Sequence, residues 1–480
     1  MAVAPMNRPP AKVFLILLSS YAFYWHARDW NTASRLMLTY ALVDRGTVRI
    51  DGLDRHTGDL AKYQGHYYTD KLPGLSMLAT IPYAIERLAL PAHPLNVAAR
   101  THWAADYGAT LGTSGLASAT IGAILASLAA GLGCGPRRSM LVGLAYGLAT
   151  PAYVYATLAY GHQGAALGLI GAYTLLREAG RRPWPRAACA GFLAAMASVV
   201  ELQVGPVSAI LAAYLAVQVV SGRWPSRSIG AFAVGASVPT LGLLVYNTVA
   251  FGSPTDMGYF HERLELFSTV HSAGNPLGLR RPDWSVAPSL LWGRSRGLLV
   301  FAPILILWPP GLVALVVRRR WATAVVSTAA CVAVLLVNLS YPNWDGGWCT
   351  GPRLLVPLLP FAVLPVAGLL AIDRRWAWPA ATLGVVGFSL MIAFQGVGGR
   401  VPAYYPDPIR RVVGPIWARG TPPAGWVGEP FDRSVLELAG LTIGDRRGPL
   451  LGLAAAQMAV VGITMRRRWA ERRQPPLPPE

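Results

Sequence analysis

Apolar runs close to twenty residues long recur along most of this chain, at roughly 11–28, 104–133, 139–159, 163–179, 187–203, 205–221, 229–251, 297–317, 322–341, 354–372, 376–396 and 449–465. An α-helix of that length spans the hydrocarbon layer of a bilayer, about 30 Å thick. Inside lipid a backbone must satisfy its own hydrogen bonds, and continuous apolar runs without alternation select helices over a barrel. The chain therefore reads as an all-α polytopic membrane protein with about twelve transmembrane helices. It forms a single integral membrane domain over 1–480. Composition agrees, because 53% hydrophobic and only 14% charged residues exceed what one soluble core can bury. The first run follows a basic flank and shows no small-residue cleavage site before Arg28, so an uncleaved first helix is expected.

Basic residues set the expected orientation, since Lys and Arg accumulate in cytoplasmic loops. Every second connection is short and basic: Arg137 and Arg138, Arg177 to Arg186, Arg223 with Arg227, Arg318 to Arg320, Arg374 and Arg375, and Arg466 to Arg468. Both termini then face the cytoplasm of a bacterial cytoplasmic membrane. The acids provide an independent check and agree. Only Glu178, Asp373, Glu471 and Glu480 fall on the cytoplasmic side. The net charge of +19 reflects orientation and contact with anionic membrane lipids, and no basic stripe on a soluble domain points to nucleic acid.

Three long polar segments, 29–103, 252–296 and 397–448, fall on the outer, periplasmic side. The stretch 74–92 resembles a span, but counting it would invert every later loop. With Pro73, Pro82, Glu86, Arg87 and Pro91 in or beside it, an interfacial or re-entrant helix is expected. The first outer loop would thus carry juxtamembrane helices. Cytoplasmic loops of a few residues leave no room for a nucleotide-binding domain, and no GxxxxGK[ST] or GxGxxG sits between a strand and a helix. Cys134, Cys189, Cys331 and Cys349 lie far apart and the histidines show no paired spacing, so neither a disulfide framework nor a metal site is expected. Any activity belongs to the outer face.

The first outer loop concentrates Asp29, Asp44, Asp51, Asp54, Asp59 and Asp70 beside Arg35, His66 and Lys71. Ordinary solvated pairing accounts for any single member. The run YYTDKLPG at 67–74 resists that account, because Pro73 would hold Lys71 at headgroup depth, where an ammonium meets a lipid phosphate. Elsewhere, Glu201 ends an apolar run, a depth at which an ionisable group usually faces a cavity or a partner. His162 in YATLAYGHQG suits either a cavity or an interfacial hydrogen bond. Asp345 and Arg353 flank a glycine-rich turn, either a tight connection or a backbone surface for a ligand. Asp256, Tyr259 and His261 follow Gly-Ser-Pro as lesser candidates.

A helix containing Arg35, then Gly46, then Gly65, Tyr68, Asp70, Lys71 and Pro73, resembles the first periplasmic loop of GT-C glycosyltransferases. The resemblance is notably to the lipid A aminoarabinose transferases and to the wider family 39 group that includes protein mannosyltransferases. The resemblance extends to the topology, to Asn247 through Pro254, to Trp344-Asp345-Gly346-Gly347 and to Gly351-Pro352-Arg353. It implies a GT-C-like fold and an inverting transferase that moves a sugar from a polyprenyl phosphate to a protein, lipid or glycan acceptor at the outer face. No cofactor is implied, the lipid-linked sugar being a substrate. Arg35 and Lys71 carry over as contacts to the donor phosphate, with Arg353 beside them. His66, Tyr68, Asp70, His162, Glu201 and Asp345 are expected to line the substrate cavity.

The family's acidic pair stands three and two residues before the helix arginine, where this chain has Thr32 and Ala33. A carboxylate is still required to deprotonate the acceptor hydroxyl while cations stabilise the leaving phosphate. Asp59 and Asp51 are equal candidates for that base, and Asp29 follows. The competing function is a secondary transporter or lipid flippase, which would favour acids at span centres and matched halves. Here the acids crowd the outer loops.

Overall fold

The computed structural model describes residues 9–26, 28–89, 101–396, 401–403, 405–420, 432–434, 452 and 455. Helices occupy every expected apolar run that falls within those residues. Six are long and apolar enough to cross a membrane: Trp103–Gly131, Leu202–Val220, Arg227–Phe251, Trp321–Leu339, Arg353–Ile372 and Arg374–Gln395. The remaining runs form shorter or less apolar helices, α1 (Pro9–Phe23) among them. The expected last span at 449–465, the arginines at 466–468 and both termini lie outside the described residues.

Two runs differ from the expected single helices, and proline is the reason. The run 139–159 forms the helix Pro136–Ala149, breaks at Thr150 and Pro151, and resumes as Ala152–Ala156. The run 297–317 divides into Leu298–Phe301, a 3-10 turn over Pro303–Leu307 and Trp308–Val317, with Pro303, Pro309 and Pro310 at the joints. A proline lacks the amide proton that a helix interior needs, so it starts a new segment more readily than it continues an old one.

Helix contacts follow membrane packing rules. At Gly191 and Gly235 an added Cβ would run into the facing backbone at Phe232 and Ala188, so helices Pro183–Val200 and Arg227–Phe251 approach backbone to backbone. The opposite face of Arg227–Phe251 exposes Val234, Val238, Leu241, Val245 and Val249 at helical spacing, as a lipid-facing surface does.

The segment after α1 builds a cap of mixed structure, which amends the all-α expectation. Strand β1 (Tyr24–His26) leads to α2 (Trp30–Arg45). The Asp29 carboxylate caps α2 by accepting from the Thr32 amide at 2.7 Å, and left-handed Gly46 ends it. Strands β2 (Leu60–Tyr63) and β3 (His66–Thr69) then form a hairpin. Its two-residue turn has positive φ at Gln64 and Gly65, matching the right-handed twist of the strands. A third segment joins the hairpin edge: Ala61 bridges Glu262, and the Arg263 amide donates to the Leu60 carbonyl at 2.9 Å. Helix α3 (Gly74–Ala89), at the stretch expected to be interfacial, buries Leu75, Ala79 and Tyr83 and leaves Leu78, Ile81, Ile85 and Leu88 on one exposed stripe. Its Tyr83 ring lies 4.6 Å from that of Tyr40 in α2. Strand β4 (Asp432–Ser434) pairs antiparallel with β1. Most of 397–448 otherwise lies outside the described residues.

Candidate active site

Two groups of buried charge meet where this cap rests on the helices. The first is centred on Lys71. Its ammonium lies 2.6 Å from Asp70 Oδ2 and 2.9 Å from Asp59 Oδ2, and the other oxygen of Asp70 accepts from Ser34 Oγ at 3.1 Å. The hairpin positions all three: Asp59 precedes β2, while Asp70 and Lys71 leave β3 toward Pro73 and α3. The Ser34 hydroxyl also bonds Thr69 Oγ1 at 2.7 Å, joining the hairpin to α2.

The second group is centred on Arg35, one residue along α2. Its Nη2 lies 2.8 Å from Glu201 Oε1 at the end of helix Pro183–Val200, and its Nε donates to Asn31 Oδ1 at 3.2 Å. The buried ring of His162 stands 3.7 Å from the same Glu201 oxygen. Arg353 approaches from the glycine-rich turn, its guanidinium 5.5 Å from the ring centre of Tyr160, whose hydroxyl donates to Asp29 Oδ2. That turn requires its glycines: Gly346, Gly347 and Gly351 all have φ between 60° and 71°. His162 is close enough to Arg35 and Arg353 for both charges to act on it.

Tyr259 links the groups. Its phenol is pushed up by burial and by Glu201, with Lys71 and Arg35 opposing. The charges inside are unevenly matched. Burial works against the Lys71 ammonium, but Asp59 and Asp70 outweigh it and hold the amine charged well beyond its ordinary range. Burial lifts the Asp70 carboxyl, with Lys71 pulling the other way. Glu262 is pushed up to about 8 by burial and by Asp70, again against Lys71.

Several polar atoms in this cluster are buried without a hydrogen-bond partner: Arg35 Nη1, Arg353 Nε, His162 Nδ1 and Glu262 Oε2. An unmet guanidinium donor or carboxylate oxygen costs free energy in a dry interior, which makes this cluster the candidate site for a polar ligand. Among the described residues, no group of three or more metal-ligating side chains is placed to hold an ion.

No family model matches this chain, and no curated protein matches it. Solved structures similar to it include two of one protein. The crystal structure of ArnT from Cupriavidus metallidurans bound to undecaprenyl phosphate has 14% identity, and the match covers 95% of this chain and 75% of that one, with a TM-score of 0.49. The same protein in the apo state has 15% identity over the same shares, also with a TM-score of 0.49.

The expected site residues fall into three sets. Arg35, Asp59, Asp70, Lys71, His162, Glu201 and Arg353 are gathered into the cluster, and Asp29 joins it through Tyr160. Tyr68 supports it from the side, buried with its ring 5.2 Å from that of Phe251. Asp51, His66 and Asp345 have local duties instead. Asp51 accepts from the Tyr67 amide at 2.8 Å and pairs with His66 Nδ1 at 2.8 Å, on the partly exposed flank of the hairpin. Asp345 accepts from the Gly347 amide at 3.1 Å, and its carbonyl receives Arg296 at 2.6 Å. Asp256 pairs with His261 at 2.8 Å. The reading of residues did not single out Glu262, Ser34, Tyr160 or Tyr341. Tyr160 alone carried a usable signal, as the aromatic neighbour of a histidine and a glycine at a helix start.

Proposed function

We propose that this protein is a membrane glycosyltransferase that moves a sugar from a polyprenyl-phosphate donor to a protein, lipid or glycan acceptor. The site faces the periplasm from a bacterial inner membrane, with both termini cytoplasmic. One observation carries the reading: one buried guanidinium nitrogen on each of Arg35 (Nη1) and Arg353 (Nε) has no hydrogen-bond partner, in a cluster that also holds the Lys71 ammonium, and donors of this kind suit a lipid-linked phosphate. Of the residues that resemble the GT-C first loop, Arg35, Asp70 and Lys71 belong to that cluster, which supports the reading.

The chemistry follows from charge. As the bond between the anomeric carbon and the phosphate oxygen breaks, negative charge builds on the phosphate, and fixed cations stabilise it more in the transition state than in the bound donor. Arg35, Arg353 and Lys71 supply those cations. Asp59 and Asp70 hold Lys71 in place until the phosphate arrives. A carboxylate of the cluster accepts the acceptor's proton on the far side of the sugar, which gives inversion.

The test is mass spectrometry of lipid extracted from the purified protein, followed by transfer assays with polyprenyl-phosphate sugars. A co-purified polyprenyl phosphate, lost in an Arg35→Ala, Arg353→Ala double variant, supports the reading. Absence of both lipid and transfer overturns it.

A further inference from the structure

Glu262 belongs to the segment 252–296, far in sequence from the loop that supplies Lys71. The bridge to Ala61 and the bond from the Arg263 amide to the Leu60 carbonyl fix that segment along β2, so Glu262 is delivered to the Lys71 group by backbone pairing. The other carboxylates there are occupied. Asp29 holds the Thr32 amide and Tyr160, Asp70 holds Ser34 and Lys71, Asp59 holds Lys71, and Glu201 holds Arg35. Glu262 Oε2, by contrast, is buried and takes no hydrogen bond.

We infer that Glu262 is the carboxylate that removes the proton from the acceptor hydroxyl, an assignment that rests on the transferase reading above. In this step the acceptor oxygen forms its bond to the anomeric carbon as its proton passes to Glu262 Oε2. The bond from that carbon to the phosphate oxygen breaks, its electron pair stays on the phosphate, and polyprenyl phosphate leaves. The proton then returns to water or to the departing phosphate, which restores the carboxylate. Asp59 and Asp70 keep Lys71 oriented toward the phosphate and do not themselves take the proton.

The charged and titratable groups around Glu262 come from three places. Asp59, Asp70 and Lys71 belong to the first loop and act on it directly, Tyr341 follows helix Trp321–Leu339 and is coupled to it, and Tyr259, His261 and Arg263 are the titratable neighbours along its own segment. Burial and the two aspartates raise Glu262 to about 8, so its ionised form increases as pH rises through that value. A base of this kind makes the rate climb across the physiological range, whereas an ordinary aspartate is already ionised there.

The deciding measurement is kcat/KM against pH for the parent protein and for Glu262→Gln, Glu262→Asp and Asp59→Asn, each checked for a monodisperse detergent complex. The parent should show a rising limb with a midpoint near 8. Glu262→Gln should fall by roughly 10²–10⁴-fold and lose that limb. Glu262→Asp should keep the limb at a reduced rate, and Asp59→Asn should keep it as well. A parent limb in the ordinary carboxylate range overturns the assignment without any variant. So does Glu262→Gln at the parent rate, or loss of the limb in Asp59→Asn alone. If the parent transfers sugar and Glu262→Gln does too, only this assignment falls; if the parent transfers none, the transferase reading falls and takes it along.

Discussion

Arg35 Nη2 and Glu201 Oε1 stand 2.8 Å apart with side chains only 3% and 9% exposed, an ion pair that ties α2 to the end of helix Pro183–Val200. Exposed pairs contribute little to stability, but a buried pair is costly to break because the remaining charge keeps its desolvation penalty.

Glu201→Leu should therefore destabilise the protein by about 3–5 kcal/mol, seen as a lower thermal midpoint in detergent. Arg35→Met combined with Glu201→Leu should recover most of that stability, since apolar residues of similar volume replace a buried pair at little cost. Transfer should remain lost in the double variant, because the phosphate has lost a cation. Equal stability in parent and Glu201→Leu would show that water reaches the pair.

Lys71→Ala should lower turnover by about two to three orders of magnitude, as expected for a contact that strengthens while charge develops on the phosphate. Lys71→Arg should retain part of the rate, because the charge survives with altered geometry. Steady-state transfer assays decide this, and full activity in both variants would reduce Lys71 to a partner of Asp59 and Asp70.

Asp51 and Asp59 should respond differently to asparagine. The Asp51 carboxylate serves the hairpin, bound to His66 and the Tyr67 amide, so Asp51→Asn should transfer near the parent rate. Asp59→Asn removes a partner of Lys71 and should raise the donor KM by about tenfold or more. Inactivation by Asp51→Asn would place the hairpin flank inside the site.

A reporter fused after Arg320 or Arg375 should be cytoplasmic, and one placed at 400–420 periplasmic, as the basic short loops require. A periplasmic signal from Arg320 would reverse the orientation and move the charged cluster to the wrong face.

The helices were legible because lipid imposes length and apolarity on every run. What the runs concealed was the effect of Pro151 and Pro303, present in plain sight but counted through, since apolarity does not report where a helix restarts. In the first loop, Lys71, Asp70 and Arg35 lie close together in sequence, and the structure brings them into neighbouring ion pairs. Glu262 was not legible. It stands in GYFHER with no spacing to betray a role, and its place beside Lys71 arises from a pairing between Ala61 and Glu262 that no local pattern encodes. Asp29 caps α2 with one oxygen while the other accepts from Tyr160, 131 residues away, a partner that its own neighbourhood in the sequence does not announce.

The order in which the chain delivers this cluster has a consequence for its biosynthesis. Lys71 and Arg35 emerge from the ribosome early, Glu201 and Glu262 later, and Arg353 only when most of the protein has been made. Until then Tyr160 lacks the guanidinium that covers it, and the glycine turn that carries Arg353 has no helix behind it. A nascent chain stalled before that point holds an incomplete set of cations. The cluster is therefore complete only after the segment that carries Arg353 has joined the earlier ones.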